Sequence, residues 1–155
     1  MDLIQRNAER QRLIERGMPA IWAGFRAALG ELKTSYDAAP HQSGWTVEIE
    51  PVHDRSIVIT QYRGRAPDAY NEVVLTITVV LDESGHAITA SGVLLFTRFE
   101  NSFVRGTFSY RYLIDAPMNQ DSPGRVSLML DDAPVSPLRA AEDLVGKTLF
   151  GTFAV

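Results

Sequence analysis

The spacing of the hydrophobic residues changes once along the chain, near residue 44, and this change constrains the fold more than any other feature. Before it, apolar side chains recur at helical spacing in one unbroken phase: Ile14, Met18, Ile21, Trp22, Phe25, Leu29, Leu32 and Tyr36. After it, apolar and polar residues alternate with the period of two that is typical of half-buried strands. A helix followed by a run of strands predicts an α+β fold.

The N-terminal helix is predicted to be long. Pro19 closely follows Gly17, so the helix either kinks there or ends near Gly17 and restarts, and the unbroken phase favours a kink. Residues 1–12 are polar nearly all round, apart from Leu3 and Ile4. The whole stretch would form a helix about 51 Å long, against a radius of gyration of about 15 Å for a domain of this size. We therefore expect residues 1–12 to fray, fold back or face another chain.

The rest of the chain is predicted to form an antiparallel meander and a C-terminal helix. Ser136 has the character of an N-cap, with Pro137 in the first turn of that helix. We find no internal repeat and no long linker, so residues 1–155 are predicted to form a single domain. Five strands and a short sixth are expected over residues 45–50, 57–62, 72–81, 87–98, 103–114 and 125–130.

Two assumed turns set the strand register. A turn at Ser84-Gly85 aligns the third and fourth strands, and a three-residue loop over 100–102 aligns the fourth and fifth. This register places Gly92 opposite Tyr110 and Gly106 opposite Phe96, so that an aromatic ring lies beside each strand glycine. Both helices should then pack on one apolar face, made of Trp45, Val47, Ile57, Ile59, Val73, Leu75, Ile77, Leu94, Phe96, Phe108 and Tyr110.

The opposite face of the sheet mixes hydroxyl-bearing and apolar residues. It is too polar for a face covered by helices and carries too little charge for a bare one. Part of it is therefore expected to meet another chain, as is the start of the long helix. The predicted partner-binding residues are Leu3, Ile4, Val74, Val93 and Leu95.

Arg105 and Arg111 on that face are the candidates for binding an anion, since guanidinium groups bind phosphate and carboxylate oxygens well. The alternative is structural, with Arg105 paired to Glu72 and Arg111 lying over the sheet. Tyr110 and Tyr112 are further candidates, because on the apolar face they would line a ligand pocket between the sheet and the helices, together with Gln61.

Signals for catalysis or metal binding are weak. Three polar pairs have suitable side chains, but turn capping and solvated strand faces explain them better. The pair before the last helix is expected to favour that helix's dipole. Neither a catalytic residue, nor a metal site, nor a cofactor is predicted from them: His53 with Asp54, Glu48 with Glu50, and Asp131 with Asp132.

Composition removes several functional classes. The 155 residues contain no cysteine and three histidines, and the formal net charge is −4. Disulfides and thiolate chemistry are thus excluded, and a nucleic-acid footprint, which needs a basic excess, is not expected. The N-terminal residues do not resemble a signal peptide, and no apolar run approaches the roughly 18 residues of a membrane span, so a cytoplasmic location is expected. Phosphate-loop, nucleophile-elbow and dinucleotide motifs are missing.

These observations favour a non-catalytic interaction or adaptor domain that acts as a homo-oligomer, with a dimer expected. In architecture alone, the predicted arrangement resembles the small acidic chaperones of secretion systems, and also folds that hold a ligand between a helix and a curved sheet. The alternative function is a small-molecule binding protein or enzyme with a pocket between the sheet and the helices.

Overall fold

One helix, α1 (Leu3–Ala38), carries the entire N-terminal hydrophobic stripe in the computed structural model, which describes residues 2–38, 45–63, 72–98, 101–119 and 122–150. The helix continues through Pro19, so the prediction of one helix rather than two is confirmed. Asp2 caps it: the Asp2 carboxylate accepts from the Gln5 backbone N–H at 2.8 Å, and the Gln5 side chain accepts from the Asp2 N–H at 3.1 Å. This reciprocal arrangement is a capping box.

Two polar contacts, well separated along α1, link this helix to the sheet. The Arg10 guanidinium contacts the Asp115 carboxylate at 2.8 Å, and the Trp22 indole N–H donates to the backbone oxygen of Asp54 at 2.7 Å. Burial begins at Ile14 and continues down the stripe to Tyr36. The first turn therefore lies outside the core.

Within the described ranges nine strands follow α1, and seven of them form one antiparallel sheet in the order β1-β2-β3-β4-β5-β8-β9. The α+β class is confirmed, with seven strands in the main sheet rather than five or six. The remaining two strands pair with each other. The bounds are β1 (Trp45–His53), β2 (Ser56–Arg63), β3 (Glu72–Asp82), β4 (Ala87–Arg98), β5 (Asn101–Asp115), β6 (Met118–Asn119), β7 (Ser122–Pro123), β8 (Ser127–Leu130) and β9 (Ala133–Val135).

The β3–β4 register agrees with the sequence prediction over most of its length. Ile77 pairs with Gly92 and Leu81 with Ile88, as the Ser84-Gly85 turn requires. On its other side β3 pairs with β2, where Val73 lies opposite Tyr62 because the register shifts after Gln61 and leaves one extra residue in β3.

The predicted β4–β5 register is wrong by two residues. Gly92 pairs with Phe108, and Gly106 pairs with Leu94. The pairing of Arg98 with Asn101 leaves a two-residue connection instead of three, and a bulge inserts one extra residue further along β5. The even shift between Gly106 and Leu113 keeps those side chains on their predicted faces, whereas beyond the bulge the shift is odd and places Phe103 beside Phe96 on the inner face.

Gly92 still lies beneath an aromatic ring, that of Phe108, whereas the neighbour of Gly106 is the Leu94 side chain.

The helices cover one face of the sheet, as predicted. Its centre is fully buried, with Leu75, Ile77 and Val79 at 0% exposure, but the apolar face runs past the helices to Phe96, which is 40% exposed. The side chain of Trp45, predicted on this face, lies outside what the structure describes.

The C-terminal helix α2 (Pro137–Val145) begins as predicted, and a π-helical turn, Gly146–Phe150, follows it. The Ser136 hydroxyl accepts from the Arg139 N–H at 3.1 Å. Asp131 and Asp132, predicted to favour the dipole of this helix, instead form the tight turn between β8 and β9. Their φ angles of 51° and 63° are those of a two-residue hairpin turn. No helix among the described residues is long and apolar enough to cross a membrane.

Candidate functional site

A polar cluster joins the sheet to α2. The Tyr112 hydroxyl donates to the Asp143 carboxylate at 2.9 Å, and the Lys147 ammonium contacts the same oxygen at 2.8 Å. Lys147 also lies over the Tyr110 ring, 5.1 Å from its centroid. The cluster therefore brings together both tyrosines predicted to bind a ligand, but their partners belong to this chain.

Burial, and secondarily the hydrogen bond to Asp143 and the charge of that carboxylate, raise the pKa of Tyr112 well above its usual range. The phenol consequently keeps its proton at every physiological pH and acts as a donor. The chemistry of the cluster is that of a clamp between β5 and α2, because a permanently protonated tyrosine supplies no general base.

The raised pKa of Tyr112 predicts a loss of stability in alkali. Above about pH 10 the unfolded chain releases this proton while the folded chain retains it. The free energy of unfolding should therefore fall by up to about 1.4 kcal/mol per pH unit from this group. Urea unfolding between about pH 9 and pH 11 should show a shallower fall for Tyr112→Phe than for the natural chain. Equal slopes for the two proteins would contradict the assignment.

Gln61, the third residue predicted to line an internal pocket, is 1% exposed. Its amide N–H donates to the Tyr36 hydroxyl at 3.1 Å. The cavity beside Tyr36, under α1, holds about 10 Å³, the space of a single water at most. The core is closely packed at this point.

The two arginines predicted to bind an anion lie far apart. Arg111 donates to the backbone oxygen of Gly85 at 2.8 Å, near Asp82, whereas Arg105 is exposed at the β5 bulge. Six residues of strand span about 20 Å, so a ligand held by both would be elongated. Glu72 lies 3.6 Å from Arg63. Anion binding by Arg105 and Arg111 remains a prediction.

Of the predicted partner-binding residues, Leu3 and Ile4 are 72% and 80% exposed on α1. Val93 and Leu95 are half-buried on the outer face. Val74 is 2% exposed, so its side chain packs within the chain rather than on a free surface.

The polar pairs on β1 and the turn after it lie beside structural partners, with Glu48 and Glu50 close to Tyr62. His53 accepts from the Arg55 N–H through Nδ1 at 3.1 Å, and Asp54 contributes its backbone oxygen to Trp22. Among the described residues, no group of three or more His, Cys, Asp or Glu side chains has the arrangement of a metal site.

The second edge of β5 is a feature that the sequence did not indicate. β5 has 15 residues and pairs with β4 along its length, but among described residues its other edge pairs only at Ile114 and Asp115, with β8. Thr107, Ser109 and Arg111 are exposed. An edge of this kind offers backbone hydrogen bonds to another strand.

An open cleft of about 1,020 Å³ is the second such feature, and it lies between α1 and the segments that surround β6, β7 and β9. Its walls are mainly apolar. It is lined by Gly17, Ala20, Ile21, Pro117, Met118, Asn119, Gly124, Arg125, Val126, Ser127, Leu128, Pro134, Val135, Ser136 and Pro137.

No family model matches this chain, and neither the curated proteins nor the solved structures include a significant match to it.

Proposed function

We propose that this chain is a non-catalytic protein-interaction domain that forms a homodimer by pairing the open edge of β5 with the same edge of a second copy. The observation that carries the proposal is the length of unpaired β5 edge among the described residues. Natural sheets rarely leave such an edge uncovered, because unpaired strand edges recruit other strands.

Along the free edge of β5, backbone N–H and C=O groups point away from β4 and are available for pairing. The Ile114 N–H donates to the His86 oxygen of the preceding strand segment at 2.7 Å, so Ile114 faces β4. In an antiparallel ladder the residues alternate, and Thr107, Ser109 and Arg111 therefore direct their N–H and C=O groups away from β4. These groups can form the ladder of a symmetric dimer.

Charge favours a two-fold axis at Ser109 over one at Arg111. A two-fold axis at Ser109 places Ser109 opposite itself and Arg111 opposite Thr107 of the second copy. An axis at Arg111 would place two arginines in direct opposition, which is destabilising. The axis at Ser109 also sets Phe108 opposite the second copy's Tyr110, a favourable aromatic pair on the inner face.

The same register fits the limits of the free edge. β8 begins its pairing at Asp115, and the β5 bulge falls at Arg105. Between them the strand is regular from Thr107 to Arg111, so the paired stretch is short and self-complementary. Two joined sheets would present one continuous outer face, carrying Val93 and Leu95 of both copies to a further partner.

The proposal includes a cytoplasmic location, which suits a chain without cysteine because disulfides are rare in that compartment.

The proposed pairing of Ser109 with Ser109 of the second copy can be tested by placing opposite charges at this position. Analytical ultracentrifugation of the natural chain should show a species of twice the 17.2 kDa chain mass. Ser109→Lys and Ser109→Glu should each be monomeric, because like charges then face each other across the axis. An equimolar mixture of the two variants should recover the dimer, since Lys faces Glu.

Ser91→Lys is the matched control. Ser91 pairs with Ser109 and is equally exposed on the same face, but it lies on β4, away from the edge. This variant should remain dimeric. A natural chain that stays monomeric up to its solubility limit would overturn the proposal, and so would a mixture of the charged variants that stays monomeric.

A further inference from the structure

The cleft beside α1 is kept open by small residues on the helix. Gly17 is in close contact with Val126, since a Cβ at this position would lie 2.9 Å from a Val126 methyl carbon. One turn further on, Ala20 is exposed on the cleft wall. A larger side chain at Ala20 would project into the cleft, so the space depends on the alanine there.

Several walls of the cleft are conformationally restricted. Pro117, Pro134 and Pro137 contribute fixed backbone angles. The Gly124 N–H donates to the Pro117 oxygen and closes the segment that contains β6 and β7. A cavity whose walls are already rigid binds a ligand at a lower cost in conformational entropy.

The described lining of the cleft carries a positive charge. Among the described residues that line it, only Arg125 is charged. No carboxylate among the described residues lies within ion-pair distance of Arg125, although the chain carries a net charge of −4. An unpaired guanidinium at the edge of an apolar cleft is complementary to a carboxylate attached to an apolar body.

We propose that this cleft is a binding site for a small amphiphile, namely an alkyl chain with one carboxylate headgroup. The chain would lie against Ile21, Val126 and Val135, and the carboxylate would lie at Arg125. The volume of about 1,020 Å³ is at the upper end of the usual range for ligand pockets, roughly 300–1,000 Å³. The site lies apart from the Ser109 edge and does not depend on dimerisation.

Dodecanoate is the probe, used below its micelle-forming concentration, and dodecanol is the uncharged probe of equal chain length. Isothermal titration should show saturable binding of dodecanoate to the natural chain. Arg125→Gln should weaken this binding roughly fivefold, as expected for one solvent-accessible ion pair, and should leave dodecanol binding unchanged. Ala20→Trp should abolish the binding of both probes, because the indole occupies the cleft.

Ala8→Trp is the control for a nonspecific effect of tryptophan, because Ala8 is exposed on α1 and does not line the cleft. It should bind both probes like the natural chain. Circular dichroism should show that each variant is folded, and Ala20→Leu is a milder filling variant if the tryptophan disturbs the helix. The proposal is wrong if dodecanoate fails to bind, if folded Ala20 variants bind it normally, or if Arg125→Gln affects both probes equally.

Discussion

Phe25→Ala should lower the free energy of unfolding by about 3–5 kcal/mol, the range measured for large aromatic side chains removed from packed cores. Phe25 is 0% exposed. Its ring centroid lies 6.5 Å from that of Trp22 and 6.3 Å from that of Tyr112. It therefore joins α1 to β5, and its loss leaves a cavity between two elements that are remote in sequence.

Urea unfolding at one fixed protein concentration measures this change, because dimer formation would make stability depend on concentration. Phe103→Ala is the matched control. Phe103 is 45% exposed and stacks on Phe96, so its loss should cost less than about 1 kcal/mol. Equal losses for the two variants would show that α1 does not pack on the sheet through Phe25.

The helical part of the fold was predictable because its signal is local. A period of 3.6 residues over more than twenty positions identifies both the helix and its buried side, and Ile14, Met18 and Leu29 are buried as that pattern requires. The same periodicity favoured a helix that passes Pro19 without ending, and α1 is continuous there. The capping box at Asp2 was not predicted, although an Asp three residues before a Gln is the sequence pattern of such a cap.

Strand faces were predictable, whereas the partners of each strand residue were less so. Alternation identifies which side chains share a face, and an even slip leaves that result intact. The predicted β4–β5 register was wrong because composition does not fix the length of the connection, and because nothing in the sequence marks the β5 bulge at Arg105. The strand β8 lies within the short sixth strand predicted over residues 125–130, whereas β9 escaped prediction because it is only three residues long.

The candidate binding surfaces depend on long-range geometry, so no local pattern could reveal them. The cleft combines Gly17 and Ala20 with residues about a hundred positions later. The free edge of β5 follows from the short pairing with β8, which ends after Ile114 and Asp115. In contrast, the tyrosines that the sequence suggested for a ligand have partners within the fold: Tyr112 donates to Asp143, and Tyr110 lies beneath Lys147.

Gly92→Ala should destabilise the fold by about 3 kcal/mol, a large effect for a single added methyl group. A Cβ at this position would lie 2.0 Å from the end of the Phe108 ring and 2.5 Å from the adjacent ring carbon. The ring lies over the glycine and also packs against the core, so relief requires displacing a half-buried aromatic side chain.

A double-mutant cycle identifies the ring responsible. In a Phe108→Leu background, Gly92→Ala should cost less than half as much, because the smaller side chain leaves room for the methyl group. In a Tyr110→Leu background the full cost should remain, since Tyr110 pairs with Ala90 in the observed register. If Tyr110→Leu instead reduced the cost of Gly92→Ala, Gly92 would lie opposite Tyr110, as a three-residue loop predicts. The cycle therefore measures the β4–β5 register on which the Ser109 dimer axis rests.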